Sequence, residues 1–453
     1  MVRADLEADA SALIRPEWLS AQRWYAANDR HLTDVRLADA AALPLDRPDL
    51  SAWLLVVQAY FAMGAPVQYL VPAVAAGDEP LREPRDGDGA WRALASTIAD
   101  GGVLSASSSS FRGEVAPALS DLVPEGAASV ARLAEERLGV QQSNTSVRLG
   151  ETLLLKLYRR VATGENPELE VGAFLESVGC RVVPRIAGSM RYLGPDGQAA
   201  AAMLQERVPA RSDAWRQIGE LLAGADGGAE RAIAVAGEIG NVTAELHAGL
   251  AARPQDLAFP VRPAAPIEVK SWRDASLAQL DQARYALEGQ DRTTLDRMAP
   301  RIRSRLDRAF AAAAGARVMR VHGDYHLGQL LVTEEGYRVV DFEGEPARPL
   351  AERRAPQPPE RDVAGMLRSF DYAARTAQRG HHAAGFDADN WLAAARDAFL
   401  AAYAGVAPEP PRGPLVAGLE IEKACYEVRY EAANRPDWVW LPLEALTRIV
   451  HER

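Results

Sequence analysis

The sequence predicts an α+β protein in which a mixed portion of strands and helices precedes a mostly helical one. Up to about residue 208, short apolar runs rich in β-branched and aromatic residues alternate with Gly and Pro turn signals. Beyond Ser212, apolar residues recur at the three- and four-residue spacing of amphipathic helices. Size is the third observation: 453 residues exceed what one ordinary core organises, so two or three domains or lobes are expected.

In the opening third, Trp53 to Phe61 (WLLVVQAYF) and Val67 to Val71 (VQYLV) read as strands joined by the turn AMGAP. The polar stretch SASSSSFRGE at 105–114 reads as an exposed loop. From Ser129 the pattern becomes helix (SVARLAEERLG), then QQSNTSVRLG, then the apolar strand ETLLLKLYRR, then a helix beginning near Asn166. A hairpin turn is expected at Gly194 to Gly197 (GPDG), before the strand AAAMLQE. Later come GEIGNVTAELHAGL as a helix, a Pro-rich connection from Arg253 to Pro266, and long helices through Phe310 and from Trp391 to Tyr403.

Composition narrows the class. Hydrophobic residues at 48% and charged residues at 25% mark a globular chain rather than a disordered or fibrous one. A net charge of −11 excludes generic nucleic-acid binding, which needs a basic face, but leaves room for a nucleotide that asks only for a few local donors. No apolar run approaches the roughly 20 residues of a membrane span, so no membrane partner is expected. The start mixes acids with apolar residues unlike a secretory leader, making a cytoplasmic location the expectation. Cys180 and Cys425 stand far apart without metal or disulfide spacing.

The strongest local signal is Val321 to Gln329, VHGDYHLGQ, followed after the turn TEEGY by an apolar strand that ends in the acidic turn VVDFEGEP. Two short elements thus bring carboxylate and amide oxygens to one place. Phosphoryl transfer from ATP needs a base-like residue to orient the acceptor hydroxyl and oxygen ligands to hold magnesium against the phosphates. Asp324 suits the first role, and Gln329 with Asp341 the second. The five-position step from Asp324 to Gln329 equals that from Asp to Asn in the protein-kinase catalytic loop, and Asp341 stands where the DFG aspartate would. Glu343 adds a carboxylate on the same side of an extended segment, able to reach a second magnesium directly or through water. His322 is expected to brace the loop, and His326 lies between base and ligand.

Upstream, Lys156 is the lone charge within LLLKLY and needs an anionic partner, which ATP phosphates supply. Glu170 on the following helix is the expected partner that aims this lysine, with Glu168 as the alternative. No glycine-rich loop precedes Lys156. Gln142, Ser143, Asn144, Thr145 and Ser146 instead offer amide and hydroxyl donors where a phosphate-covering loop belongs.

QSNTSV, LLLKLYRR, HGDYHLGQ, VVDFEGEPARPLAERR, RDVAGMLRSFDYAA and EKACYEVRYEAANRPDW, with the amino-terminal WLSAQRWYAA, resemble the actinobacterial maltokinase family over essentially the whole chain. The resemblance implies a bilobal protein-kinase-like fold of the aminoglycoside-phosphotransferase type. It implies an N-terminal cap subdomain at 1–100, a nucleotide-binding lobe at 101–208, and a helical lobe with catalytic loop and sugar pocket at 209–453. It further implies ATP and magnesium as cofactors and maltose as acceptor at the anomeric hydroxyl. The product, maltose 1-phosphate, would feed α-glucan synthesis, with trehalose synthase as a partner. Position by position, Asp324 would activate the hydroxyl, Gln329 and Asp341 would hold magnesium, and Lys156 with Glu170 would position the nucleotide. His326 and the tail residues Lys423, Tyr426, Glu427 and Tyr430, on helical spacing with Trp438 beyond, would line the sugar pocket.

Cap-containing relatives also include kinases of other sugars such as glucosamine. For an aminosugar, Asp371 or Glu427 would meet the amine. A third reading, a non-catalytic nucleotide-binding partner of trehalose synthase, requires a missing base or metal ligand, and none is missing.

Overall fold

The computed structural model describes the chain except residues 1–5, 7–9, 26, 28–29, 78, 140–143, 225–226, 346–347, 381–385 and 452–453. It divides into two compact units, Met1–Glu176 with Pro184–Val208, and Ser177–Val183 with Pro209–Arg453.

The first unit opens with an antiparallel three-stranded sheet, β1 (Leu32–Leu43), β2 (Leu50–Phe61) and β3 (Val67–Ala76). The hairpin expected around AMGAP forms, with Trp53 opposite Ala73 and Gly64 in the left-handed region at φ 88. Strand β2 is apolar on both faces because both are covered. Leu54 and Val56 join one core with helix α1 (Ala90–Ala99), while Leu55 and Val57 join another with Leu6, Leu19, Trp24 and Tyr25. Each fully buried aliphatic side chain contributes about 1.5–3 kcal/mol.

A seven-stranded sheet follows, in the order β4 (Val103–Ser105), β5 (Ser110–Val115), β9 (Ile186–Gly194), β10 (Gly197–Glu206), β8 (Leu153–Leu157), β7 (Thr145–Leu149), β6 (Glu135–Arg137). The GPDG turn closes the β9–β10 hairpin, with Gly194 paired to Gly197. The helix expected from Ser129 does not form: Ala127–Arg132 is a short 3-10 helix, and Glu135–Arg137 pairs with β7. Backbone pairing at the sheet edge outweighs a local helical pattern only about three turns long. The serine run is not a free loop either. Ser107 and Ser108 donate backbone N–H groups to Asp39, at 2.9 Å each, and the Ser108 and Ser109 hydroxyls donate to the same carboxylate. Helix α2 (Pro167–Ser177) starts where expected because Asn166 caps it, accepting the Glu168 N–H at 2.8 Å, with Pro at the first helical position.

The second unit is mostly helical: α3 (Ala214–Ala223), α4 (Gly228–Leu250), α5 (Pro266–Ala286), α6 (Gly289–Ala311), α7 (Glu360–Arg379), α8 (Ala388–Val406), α9 (Gly413–Asn434) and α10 (Trp440–His451). Among them lies a small antiparallel sheet, β11 (Ser212–Asp213), β12 (Leu330–Thr333) and β13 (Gly336–Val339). No helix among the described residues is long and apolar enough to cross a membrane.

Candidate active site

The segment VHGDYHLGQ enters the β12–β13 hairpin through a 3-10 turn, Leu327–Gln329. His322 braces it as expected. Its Nε2 donates to the Val340 carbonyl at 2.9 Å, its Nδ1 faces the Asp324 N–H at 3.4 Å, and its ring lies 4.7 Å from Phe342 and 5.3 Å from Tyr325. Asp362, near the start of α7 and fully buried, accepts the backbone N–H of His322 at 2.7 Å and of Gly323 at 2.9 Å, and pairs with His247 Nε2 at 3.1 Å. Burial pushes the Asp362 carboxyl up, but His247 and these donors together hold it below the usual range. The helix reaches the loop only because residue 365 is glycine: a Cβ there would meet the Tyr325 carbonyl at 2.5 Å. Tyr325 itself is buried, with its hydroxyl 3.0 Å from that of Thr243 on α4.

On this support Asp324 meets Lys423 of α9, Nζ to Oδ1 at 3.0 Å. Burial raises the Asp324 carboxyl, yet Lys423, with His326 and His322 adding to it, brings it below the ordinary carboxylate value. The base candidate is therefore ionised at neutral pH. His326 caps the 3-10 turn, its Nδ1 accepting from Gly328 N at 3.1 Å, and burial holds its pKa down, so it is neutral. Its Nε2 lies 3.4 Å from the Gln329 amide, which in turn reaches Asp341 Oδ2 at 3.3 Å. The two expected metal ligands are thus together. Asp341 sits at φ 70, the one non-glycine residue in the left-handed region among those described, a conformation that aspartate tolerates and that here aims its carboxylate. Asp341 and Glu343 bring carboxylate oxygens within 4.8 Å of each other. Two carboxylates and an amide oxygen form a hard-oxygen donor set that fits magnesium.

In the first unit, Lys156 lies opposite Ser146 and Met203 in the sheet, on the face away from the Leu153, Leu155 and Leu157 core. Its Nζ pairs with Glu168 Oε2 at 2.8 Å, and the Tyr158 hydroxyl joins the same oxygen at 2.9 Å. The expected partner Glu170 gives way to the alternative. Capping by Asn166 turns Glu168 inward, and a residue two further on points about 200° around the helix. Gln142 and Ser143 lie outside the described residues. Thr145 Oγ1 accepts from Arg159 Nε at 2.7 Å and Asn144 Oδ1 from Arg159 N at 3.3 Å. Arg159, fully buried, also donates to Glu83 at 2.7 Å and to the Leu70 carbonyl at 3.3 Å and stacks over Trp24. As one of two arginines at a strand's basic end, it carried no signal of this.

The tail helix divides its predicted residues. Lys423 and Tyr426 line a small pocket with Asp324, Glu345, Arg348 and Glu422. The Lys423 ammonium lies 4.9 Å from the Tyr426 ring centre, Tyr426 stacks on the exposed Tyr430 at 6.4 Å, and Arg435 lies over both Tyr430 and Trp438. Asp371 and Glu427, expected at the sugar, are instead buried in an ionic network. Arg368 donates to Glu427 at 2.6 Å and to Asp371, which also receives Arg448. Glu427 follows Tyr426 by one residue, so it points about 100° away, toward α7. The pocket's other charges were not foreseen. Glu422 is buried and receives Arg348, Arg361 and Ser276; burial pushes its carboxyl up, but Arg361 and Arg348 hold it down at about 2.

Residues 135–403 match the model of the phosphotransferase enzyme family, more than half of the chain. The chain belongs to that family. Residues 18–102 of this phosphotransferase match the maltokinase N-terminal cap domain. It is 31% identical over 399 residues to the glucosamine kinase of Streptacidiphilus jiangxiensis, covering 85% of this chain and 86% of the relative. To the glucosamine kinase of Mycolicibacterium smegmatis it is 29% identical over 334 residues, covering 70% and 80%. Among solved structures, a glucosamine kinase in complex with glucosamine, ADP and inorganic phosphate superposes with a TM-score of 0.71 at 26% identity, over 96% of this chain and 98% of that one. A second crystal form of a glucosamine kinase reaches a TM-score of 0.73 over 96% and 99%, also at 26% identity. The fold is thus kinase-like, with an N-terminal cap domain, and the chain is an enzyme of the phosphotransferase class.

Proposed function

We propose that this phosphotransferase is an ATP-dependent hexosamine kinase, with glucosamine as its acceptor. The observation that carries the kinase chemistry is the ionised Asp324 carboxylate, braced through His322 and Asp362 and set in a charged pocket. Likeness to glucosamine kinases over nearly the full chain supports the acceptor.

In this reading Asp324 accepts the proton of the acceptor hydroxyl as its oxygen bonds to the terminal phosphorus of ATP and the bond to the β-phosphate oxygen breaks, releasing ADP. Lys156, aimed by Glu168, neutralises nucleotide phosphate charge. Gln329, Asp341 and Glu343 would hold magnesium, which supplies charge neutralisation at the phosphates when bound. Lys423 keeps Asp324 ionised until substrate arrives.

A second reading, maltose phosphorylated at its anomeric hydroxyl to maltose 1-phosphate for α-glucan synthesis, is favoured by two observations. Residues 18–102 match the maltokinase cap, and Tyr426, Tyr430 and Trp438 offer aromatic faces on which a second sugar ring could stack. Partnership with trehalose synthase belongs to this reading. An ADP-release assay with magnesium-ATP against glucosamine, maltose, glucose and trehalose, with the phosphorylated carbon located by phosphorus NMR, tests both. Turnover with glucosamine alone supports the first reading, turnover with maltose alone replaces it, and no turnover with any acceptor refutes both.

A further inference from the structure

Resting on the hexosamine reading, we infer that Glu345 is the residue that selects an amino sugar, receiving the acceptor's ammonium group. An ammonium buried beside Asp324 needs a carboxylate that can leave its present cation without stranding that cation. The neighbouring acids divide sharply on this criterion. Asp371 and Glu427 are locked by Arg368 and lie outside the pocket lining. Glu422 lines the pocket, yet both its oxygens are taken: Arg348 at 2.9 Å and Arg361 at 3.1 Å on one, Ser276 at 3.0 Å and Arg361 at 3.4 Å on the other. Asp324 faces Lys423 and the reacting hydroxyl.

Glu345 is different. It lines the same pocket, is 8% exposed, and among the described residues its carboxylate has one hydrogen-bond partner, Arg348 Nε at 2.5 Å, with the Lys423 ammonium acting on it through space. That arginine has a second carboxylate of its own in Glu422. When Glu345 turns to an incoming ammonium, Arg348 stays paired, and no buried cation is stranded. The residue belongs to the acidic turn DFEGEP, four positions after Asp341, so the turn that begins with the metal-ligand candidates also carries the acceptor's counter-charge.

The test compares the wild type with Glu345→Gln and Glu345→Asp, using glucosamine and its neutral counterpart glucose, by steady-state kinetics and calorimetric binding. For Glu345→Gln, kcat/KM and affinity for glucosamine fall about 10- to 100-fold, at least about tenfold more than the corresponding change with glucose. Glu345→Asp keeps the charge and restores most of the preference. An undiminished preference for glucosamine in Glu345→Gln, or an equal loss for both sugars, overturns the assignment. Wild-type turnover of maltose without glucosamine overturns the hexosamine reading itself, before any variant is measured.

Discussion

The candidate catalytic loop and the charged pocket beside it are held together by opposite means. From His322 to Asp341 several polar groups answer a neighbour within the same segment, such as His322 to Val340 or His326 to Gly328, with Asp362, Thr243 and Ser369 as distant anchors. The pocket wall is assembled from Glu345, Arg348, Arg361, Glu422 and Lys423, ion pairs that span as many as 99 residues. The loop is a frame built mostly from backbone groups and imidazole rings. The pocket is a set of shared partners, in which one arginine serves two carboxylates and exchange is cheap. Chemistry requires the first arrangement and recognition benefits from the second.

The contrast breaks most visibly at Asp324. Replacing it with Asn should lower kcat by about 10²- to 10⁴-fold while a nucleotide titration shows ATP binding retained. Near-normal turnover would remove the residue from the base role. Asp362→Ala comes next, leaving His247 and the N–H groups of His322 and Gly323 without their buried acceptor. A loss of about 3–5 kcal/mol is expected, read as a lowered Tm together with reduced kcat. A variant that melts with the wild type would show that the loop holds its shape unaided.

Lys423→Met tests where frame meets pocket. Lys423 holds the Asp324 carboxyl below its ordinary value, so the ionised base persists into acid. Without it, the acid limb of the kcat/KM profile should move to higher pH by about one unit or more. The same sign governs stability: a carboxyl depressed on folding stabilises the protein above its unfolded value near ~4 and loses that contribution as pH falls through the folded value. The variant should therefore lose less stability between neutral pH and pH ~3 than the wild type. An unmoved acid limb would detach Lys423 from the base. The smallest effect is expected at Tyr430→Ala, a few-fold rise in acceptor KM with unchanged KM for ATP and unchanged Tm, since the ring is 46% exposed. An effect with maltose but not glucosamine would favour the disaccharide reading.

Much of the frame was readable from residue order alone. Asp324 and Gln329 share one loop, and Gln329 and Asp341 are joined by a hairpin of two four-residue strands, so the spacing nearly dictates that the latter two meet. Lys156 was legible as a charge on an apolar strand, but its pairing with Glu168 rather than Glu170 depended on where Asn166 began the helix. Arg159, at the basic end of the same strand, carried no sequence signal of its full burial. Asp371 and Glu427 offered carboxylates of the right type for an amine, and neither sequence position revealed that Arg368 had claimed both.

By itself, then, the sequence determined the strands and helices with strong periodicity, the order of the two portions, and the meeting of Gln329 with Asp341, because these depend on neighbours within a few turns of chain. Tertiary structure alone decided which charges were free to meet a substrate. A charge's availability depends on every ion brought against it in a medium of low dielectric, and residues 345, 348, 361 and 422 became one another's environment only when α7 and α9 packed beside the turn that follows Asp341.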